Sequence, residues 1–349
     1  MKTIAIIFGG NSSEYGVSLE SASAILKNLP KDKYELYLIG ITRLGKWYHY
    51  TGDIAKIEDG TWWQEKSNPV CIYPDGEHSS IIEMTKNGVI YQHVEAIMPI
   101  LHGKNGEDGT LQGLVQLANI PLIGCDTLSS ALCMDKHRAH QLVKQAGIIV
   151  PQAVVIKEKS WQLETINELK LPVYVKPMKA GSSYGITKVS KTTDLPAAIK
   201  HAFEYDDEVI IEEEIVGFEV GCAIMGIDHL ITGRVDEIEL SGGFFDFTEK
   251  YTLKTSKIHM PARIDLTLEK QIQETAKLIY RTLGCQIFAR VDMFLTPDHQ
   301  IVFNEVNKIP GFTGHSRFPQ MMKGAGYEFS KMLEMIIEMG LEHVDNNLK

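Results

Sequence analysis

An unbroken apolar run, Ile4-Ala5-Ile6-Ile7-Phe8, ends in Gly9-Gly10 and leads into a helical pattern. In that pattern Val17, Ala22, Ala24, Ile25 and Leu29 are apolar, and Pro30 stops it. A strand apolar at every position is buried on both faces, which happens in parallel sheets covered by helices on each side. The chain therefore opens with an α/β unit. Tyr34 to Ile41 and Ala96 to Leu101 supply further strands, Gly113–Ala118 a helix, and Pro121–Ile123 a short closing strand. Residues 50–90 read as irregular and carry Trp62 and Trp63.

At 349 residues the chain exceeds one ordinary core, so two or three domains are expected. A second unit begins near Thr127, with a helix Asp135–Gln145 ended by Gly147 and a polar helix around Trp161–Leu169. Strands Pro172–Lys176 and Val209–Glu213 belong to it. A third unit has strands near 219–226 and 230–240, a loop 241–262, a helix 265–283 and a hairpin of strands 286–295 and 301–307.

The net charge of −10 argues against a non-specific nucleic-acid binder, which needs clustered cations. Cys71, Cys125, Cys133, Cys222 and Cys285 are odd in number and lack CxxC spacing, so neither a disulfide framework nor a zinc knuckle is expected. No apolar stretch is long enough for a membrane span, and the first apolar run is too short for a signal peptide. A reducing, cytoplasmic setting fits these features.

The hairpin segments Arg290-Val291-Asp292 and Glu305-Val306-Asn307 carry the sharpest local signal. Side chains alternate along a strand, so Arg290 and Asp292 share a face, as do Glu305 and Asn307. A four-residue turn, Pro297–Gln300, sets Asp292 opposite Glu305 and Arg290 opposite Asn307. Like charges facing across strands, with Cβ atoms about 5 Å apart, repel. A divalent cation reverses the sign, because two carboxylates and an amide oxygen form the hard set that Mg²⁺ takes. A solvated polar face on an edge hairpin explains the same residues equally well.

Lys176 ends a strand before Gly181-Ser182-Ser183-Tyr184-Gly185, which suits a flap over phosphates but also reads as a plain turn. Neither GxxxxGK[ST] nor GxGxxG occurs. The run Ile210 to Glu219 is an apolar strand ending in acids, either a nucleotide contact or a solvated strand end. Two glycine-rich loops follow apolar strands, where open sheets place ligands: one carries Glu14, the other His102. Glu14 also suits the dipole of the helix that follows.

Taken in order, these stretches resemble the D-alanine–D-alanine ligase family of the ATP-grasp fold. The matching motifs are GGNSSE (9–14), VSLESA (17–22), HGKNGEDGTLQG (102–113), MDK (134–136), VKP (175–177) and GSSYG (181–185). They continue with ARVD (289–292), NEVN (304–307) and PGFTGHSRFP (310–319), covering residue 4 to about 330. The resemblance implies mixed α/β and α+β architecture. It divides the chain into an N-terminal parallel α/β domain (1–126), a central ATP-grasp subdomain (127–217) and a C-terminal one (218–349) with a closing loop 241–262.

It further implies ATP as co-substrate and two Mg²⁺ ions, with Mn²⁺ able to substitute. Lys136 and Lys176 would neutralise phosphates under a flap carrying Ser182 and Ser183. Glu213 and Ile215 would present backbone to adenine and Glu219 would hold ribose, with Glu212, Lys250, Asn304 and Glu305 completing the nucleotide site. Asp292, Glu305 and Asn307 would hold metal. Glu14 would bind the first substrate's ammonium near His102, and Ser316 the second's carboxylate. Arg290 and the Gly311 N–H would stabilise an oxyanion, and Tyr251 would join Glu14 and Ser182 to seal the site.

One departure bears on the acceptor. After His315-Ser316 the family commonly carries leucine, whereas this chain has Arg317, as in the ligases of vancomycin resistance. The lactate-using members of that group lack the Lys-Tyr pair kept here as Lys250-Tyr251. The resemblance thus implies a D-alanine–D-serine ligase working through a D-alanyl phosphate in peptidoglycan precursor synthesis. It implies D-alanine, D-serine and ATP as partners and a homodimer, without nucleic acid or membrane. An ordinary D-alanine–D-alanine ligase is one alternative, and a nucleotide-binding regulatory protein without turnover is another. The intact set Lys136, Lys176, Arg290, Asp292, Glu305 and Asn307 argues against the latter.

Overall fold

The computed structural model describes residues 1–30, 32–65, 68–74, 80–158, 161, 166, 168–181, 184–240 and 256–347. Its N-terminal part contains β1 (Lys2–Gly9), β2 (Tyr34–Ile41), β3 (Trp47–Tyr50), β4 (Val70–Tyr73), β5 (Ser80–Thr85), β6 (Gly88–His93) and β7 (Ala96–Ile100). Helices α1 (Tyr15–Asn28), α2 (Ile54–Glu58) and α3 (Thr110–Leu117) accompany them. The first sheet has the order β3-β2-β1-β7, with β1 parallel to both β2 and β7. Ile4 to Phe8 are fully buried, as the unbroken apolar run requires.

The span 50–90 is more ordered than its sequence suggests. β4, β5 and β6 form a separate antiparallel sheet. β4 alternates buried and exposed over only four residues and β6 is mostly exposed, so little periodic signal reaches the sequence. Trp62 is fully buried, edge-on to Phe8 at 5.1 Å, and its indole N–H donates to the Tyr15 hydroxyl at 2.9 Å. Gly40 makes this possible, because a Cβ there would collide with the Trp62 ring. The expected strand Pro121–Ile123 is only an isolated bridge, Ile97 to Leu122.

Helices α4 (Thr127–Met134) and α5 (Lys136–Gln145) pack toward the last sheet, whereas α6 (Leu195–Ala202) covers a separate antiparallel sheet. Its strands β8 (Ala153–Lys157), β9 (Val173–Pro177), β10 (Thr187–Val189) and β11 (Glu208–Glu213) lie in the order β10-β9-β11-β8. Most of the polar helix expected around residues 161–169 lies outside the described residues. The last sheet comprises β12 (Phe218–Gly226), β13 (Ile231–Thr232), β14 (Asp236–Leu240), β15 (Ser256–His259), β16 (Ile287–Leu295) and β17 (Ile301–Asn307). Its order is β15-β14-β12-β16-β17, with β13 beside β12. Helices α7 (Leu266–Thr282), α8 (Arg317–Gly324) and α9 (Phe329–Asn347) complete the chain. The loop expected over 241–262 is thus interrupted by β15, whose residues pair with β14 from Glu237 to Leu240. Residues 241–255 lie outside the described set.

One apolar core crosses from the first sheet to the last. It contains Ile4, Phe8, Trp62 and Met98 together with Ala223, Phe288, Phe312, Phe318 and Ile337. A hydrogen bond from the Tyr34 hydroxyl to Glu338 at 2.5 Å and the ion pair Lys33–Glu334 close its rim. This shared core holds the loops after β1 and β7 against the loop after β17, and the cleft lies among them.

Candidate active site

The C-terminal hairpin brings its charged residues into the expected register by an unexpected route. The turn 296–300 is one residue longer than the four anticipated, and a one-residue bulge at Asn304 cancels the difference. Leu295 pairs with Ile301, yet Asp292 faces Glu305 and Arg290 faces Asn307. The Asn304 carbonyl accepts from His140 Nε2 of α5 at 2.9 Å. Asp292 is buried and gripped side-on by Arg290, with Nε 2.8 Å from Oδ1 and Nη2 2.7 Å from Oδ2. Asn307 Nδ2 also donates to Asp292 Oδ2, at 2.7 Å.

Two lysines come in, one from helix α5 and one from the central sheet. Lys136 is the first residue of α5, where its charge opposes the helix dipole, and Nζ donates to Ala180 O at 2.8 Å. Burial holds its ammonium below the usual lysine range despite attraction to Glu305. Lys176 on β9 pairs with Glu212 on β11 at 2.6 Å. Burial pulls the Lys176 pKa down, but Glu212 outweighs it and holds the ammonium above its usual range. Burial likewise pushes Glu212 up, and Lys176 with His140 reverses that, leaving it below the usual carboxylate range.

Arg317 opens α8 and is buried among acids. Its Nε and Nη2 reach the two carboxylate oxygens of Asp236 at 2.7 and 2.8 Å. Nη1 donates to Glu219 at 2.7 Å and lies 3.3 Å from Asp292. Burial opposes this charge, and Asp236 and Asp292 overcome it, holding the guanidinium protonated well above the ordinary arginine range. Gly221, the ladder partner of Asp236, provides the space: a Cβ there would collide with Arg317 Nη2. Of the five guanidinium N–H groups, four are directed at these acids and one has no acceptor among the described residues.

Glu14, His102, Lys136, Arg290, Glu305, Asn307, Gly311, Ser316 and Arg317 line one cleft of about 330 Å³. The Glu14 side chain does not cap α1; it lies close over Gly103 and Gly181. His102 Nε2 sits 3.3 Å from Ser21 Oγ on α1, which also accepts from the Phe312 N–H at 3.2 Å. Ser316 Oγ accepts from the Thr313 N–H at 3.0 Å, beside Gly311. Lys176, Glu212 and Asp292 are buried. Glu213 and Ile215 do not line the cleft, and Glu213 accepts from the Lys170 N–H at 2.8 Å. Glu219, expected on a ribose, holds Arg317. Ser182, Ser183, Lys250 and Tyr251 lie outside the described residues.

The donor set fits a hard divalent cation. Among the described residues no three His, Cys, Asp or Glu side chains form a metal-holding group, so the hairpin would offer two carboxylates and an amide oxygen. That set suits a cation whose shell is completed by phosphate oxygens and water. Three supporting residues carried no motif: Asp236 behind Arg317, His140 behind the bulge, and the buried Lys308 on the cleft wall. Asp236 had one usable signal, an acid on a strand directly opposite a glycine.

Comparison with known proteins identifies the class. Residues 3–125 match the model "D-ala D-ala ligase N-terminus" and residues 142–338 the model "D-ala D-ala ligase C-terminus". The Vancomycin C-type resistance protein VanC1 of Enterococcus gallinarum is 42% identical, over 98% of this chain and 99% of that protein. The Vancomycin B-type resistance protein VanB of Enterococcus faecalis is 43% identical, over 97% of this chain and 98% of its own length. The crystal structure of the VanG D-Ala:D-Ser ligase from Enterococcus faecalis superposes with a TM-score of 0.90 at 57% identity, covering 97% of this chain and 99% of that one. The fold is therefore of the ATP-grasp type, and the chain belongs to the D-alanine–D-alanine ligase family as a D-Ala–D-X ligase. No helix among the described residues is long and apolar enough to cross a membrane.

Proposed function

We propose that this protein joins D-alanine to D-serine through a D-alanyl phosphate, supplying peptidoglycan precursors with an altered terminus. In this reading it is a cytoplasmic homodimer using ATP and two Mg²⁺ ions, with units 1–126, 127–217 and 218–349. The observation that carries the acceptor assignment is Arg317, which lines the cleft near Ser316 with one N–H left to donate. The 57% identity to a solved D-Ala:D-Ser ligase supports the same choice.

Lys136 and Lys176 meet the nucleotide phosphates, and Glu14 the ammonium of D-alanine. Asp292, Glu305 and Asn307 hold Mg²⁺, which supplies charge neutralisation during phosphoryl transfer. Phosphorylation masks the D-alanine carboxylate charge so that an amine can attack. Arg290 Nη1, which makes no hydrogen bond among the described residues, then stabilises the oxyanion with the Gly311 N–H. Phosphate is the leaving group and the dipeptide the product.

A second reading, the ordinary D-alanine–D-alanine ligase, is favoured by the acids around Arg317, which suffice to explain a buried arginine. The two separate in competition assays that follow phosphate release and dipeptide formed. D-Serine should exceed D-alanine in kcat/KM, and D-lactate should be poor. An unpaired serine hydroxyl loses about 1–3 kcal/mol, so replacing Arg317 by Leu should shift the ratio toward D-alanine by roughly fivefold to a hundredfold. Asp236→Asn is made with it to remove the stranded charge. A wild-type preference for D-alanine with an unmoved ratio returns the chain to the second reading.

A further inference from the structure

Sequence spacing scatters the five cysteines, but the fold gathers three of them. Cys133 lies in the last turn of α4, two residues before the capping Asp135 of α5, and Cys285 lies just ahead of β16. Their sulfurs are 3.7 Å apart. Cys125 joins the group, its thiol directed at the Gln286 and Phe288 carbonyls at 3.7 and 3.8 Å. All three are free thiols. Cys133 also lines the cleft, together with Lys136, Glu305 and Lys308.

Lys308 places a cation on the cleft wall beside this cluster, which sets it apart from a closed core. It is only 3% exposed, yet it is not one of the residues carrying the ligase chemistry. It lines the cleft wall together with Glu107 and Cys133. A buried cation beside a thiol stabilises the thiolate, and the thiolate is the reactive form. Cys285 donates toward Cys125, a hydrogen bond that lowers the Cys125 thiol pKa and, with Cys133 and burial, pushes the Cys285 thiol up. Cys222 is a built-in contrast: fully buried beside Asp236, its thiol is pushed up.

We propose that Cys133 and Cys285 form a reversible oxidation site on the wall of the ligase cleft, taking a small hydroperoxide as oxidant. The Cys133 sulfur attacks one peroxide oxygen and the O–O bond breaks. The sulfur becomes a sulfenic acid, and hydroxide leaves, taking the thiol proton as water. Cys285 sulfur then attacks Cys133 sulfur and the S–O bond breaks. A second water departs with the Cys285 proton, leaving a disulfide. Two thiols thus lose two electrons and two protons, and hydrogen peroxide becomes two waters. The cross-link ties the start of α5, with Lys136, to the strand carrying Arg290 and Asp292. Misplacement of such groups by about 1 Å lowers turnover by up to about a hundredfold.

The test uses the full chain with Cys71→Ser, which removes the exposed thiol and leaves basal activity intact. After hydrogen peroxide treatment, non-reducing peptide mapping should show Cys133 joined to Cys285 with Cys222 still a thiol. Phosphate release should fall by roughly tenfold to a hundredfold and return on adding dithiothreitol. Cys285→Ser should block the cross-link, and Lys308→Met should slow its formation severalfold. Unmodified Cys133 after treatment, a Cys125–Cys285 link in its place, or a cross-linked enzyme with full activity overturns the proposal. Peptide mapping requires no assumption about the acceptor, so its outcome is separate from the D-serine assignment.

Discussion

Lys136 and Lys176 bring the same charge toward the same two acids, Glu212 and Glu305, and their other neighbours set them apart. Lys176 shares a 2.6 Å ion pair, whereas Lys136 is bonded to a carbonyl at a helix N-terminus. With its folded pKa below its unfolded one, Lys136 opposes folding while charged. The unfolded chain binds more protons in that window, so apo stability should rise with pH there. ATP affinity has the opposite sign, because the phosphates lose a cation as Lys136 deprotonates. Calorimetric Kd for ATP should therefore weaken before the ordinary lysine range is reached, and Lys136→Arg should remove that limb. A flat Kd up to that range contradicts the assignment. Asp236 invites a stability test: Asp236→Ala strands a buried guanidinium and should lower unfolding free energy by about 3–5 kcal/mol in denaturant titration. Lys308 was not legible in the sequence and Asp236 only through its glycine neighbour, because their importance comes from what packs against them across β12, α8 and the cleft wall.

Among the elements, β1 and its parallel neighbours were legible because full burial imposes an unmistakable apolar run. The hairpin register at Asp292 was legible too, but its cause was not. A five-residue turn and a bulge are each a shift of one, and alternation at the site records only their sum. β4 to β6 and β15 escaped notice because short, half-exposed strands share the composition of loops. The facing pair Asp292–Glu305 should make Glu305→Ala inactive in ATP turnover while the metal-free protein changes little in stability, because relief of the like charges is offset by lost attraction to Lys136 and Lys176. Thermal unfolding without Mg²⁺ and phosphate release with it check the two halves. Normal turnover would remove the hairpin from metal binding. Deleting one turn residue should eliminate the bulge rather than move Asp292, and amide exchange at Asn304 would report the change.

At the scale of the molecule, the core shared by the first and last sheets makes the N-terminal and C-terminal parts interdependent. Residues 127–349 expressed alone would lose the N-terminal half of the core that Phe288, Phe312 and Phe318 share with Ile4, Phe8 and Met98, leaving apolar surface exposed. That fragment should aggregate, and calorimetry of the intact chain should show one transition joining both sheets. Two separated transitions for those parts would contradict this. The same core has an optical consequence. All four tryptophans, Trp47, Trp62, Trp63 and Trp161, precede residue 162, so the C-terminal sheet has no intrinsic indole reporter. Trp62 nevertheless shares a continuous apolar medium with Phe318 and Ile337, so loosening of α8 or α9 should change the emission of an indole more than 250 positions upstream. A Trp62-only variant would thus act as a dye-free gauge of events at the far end of the chain.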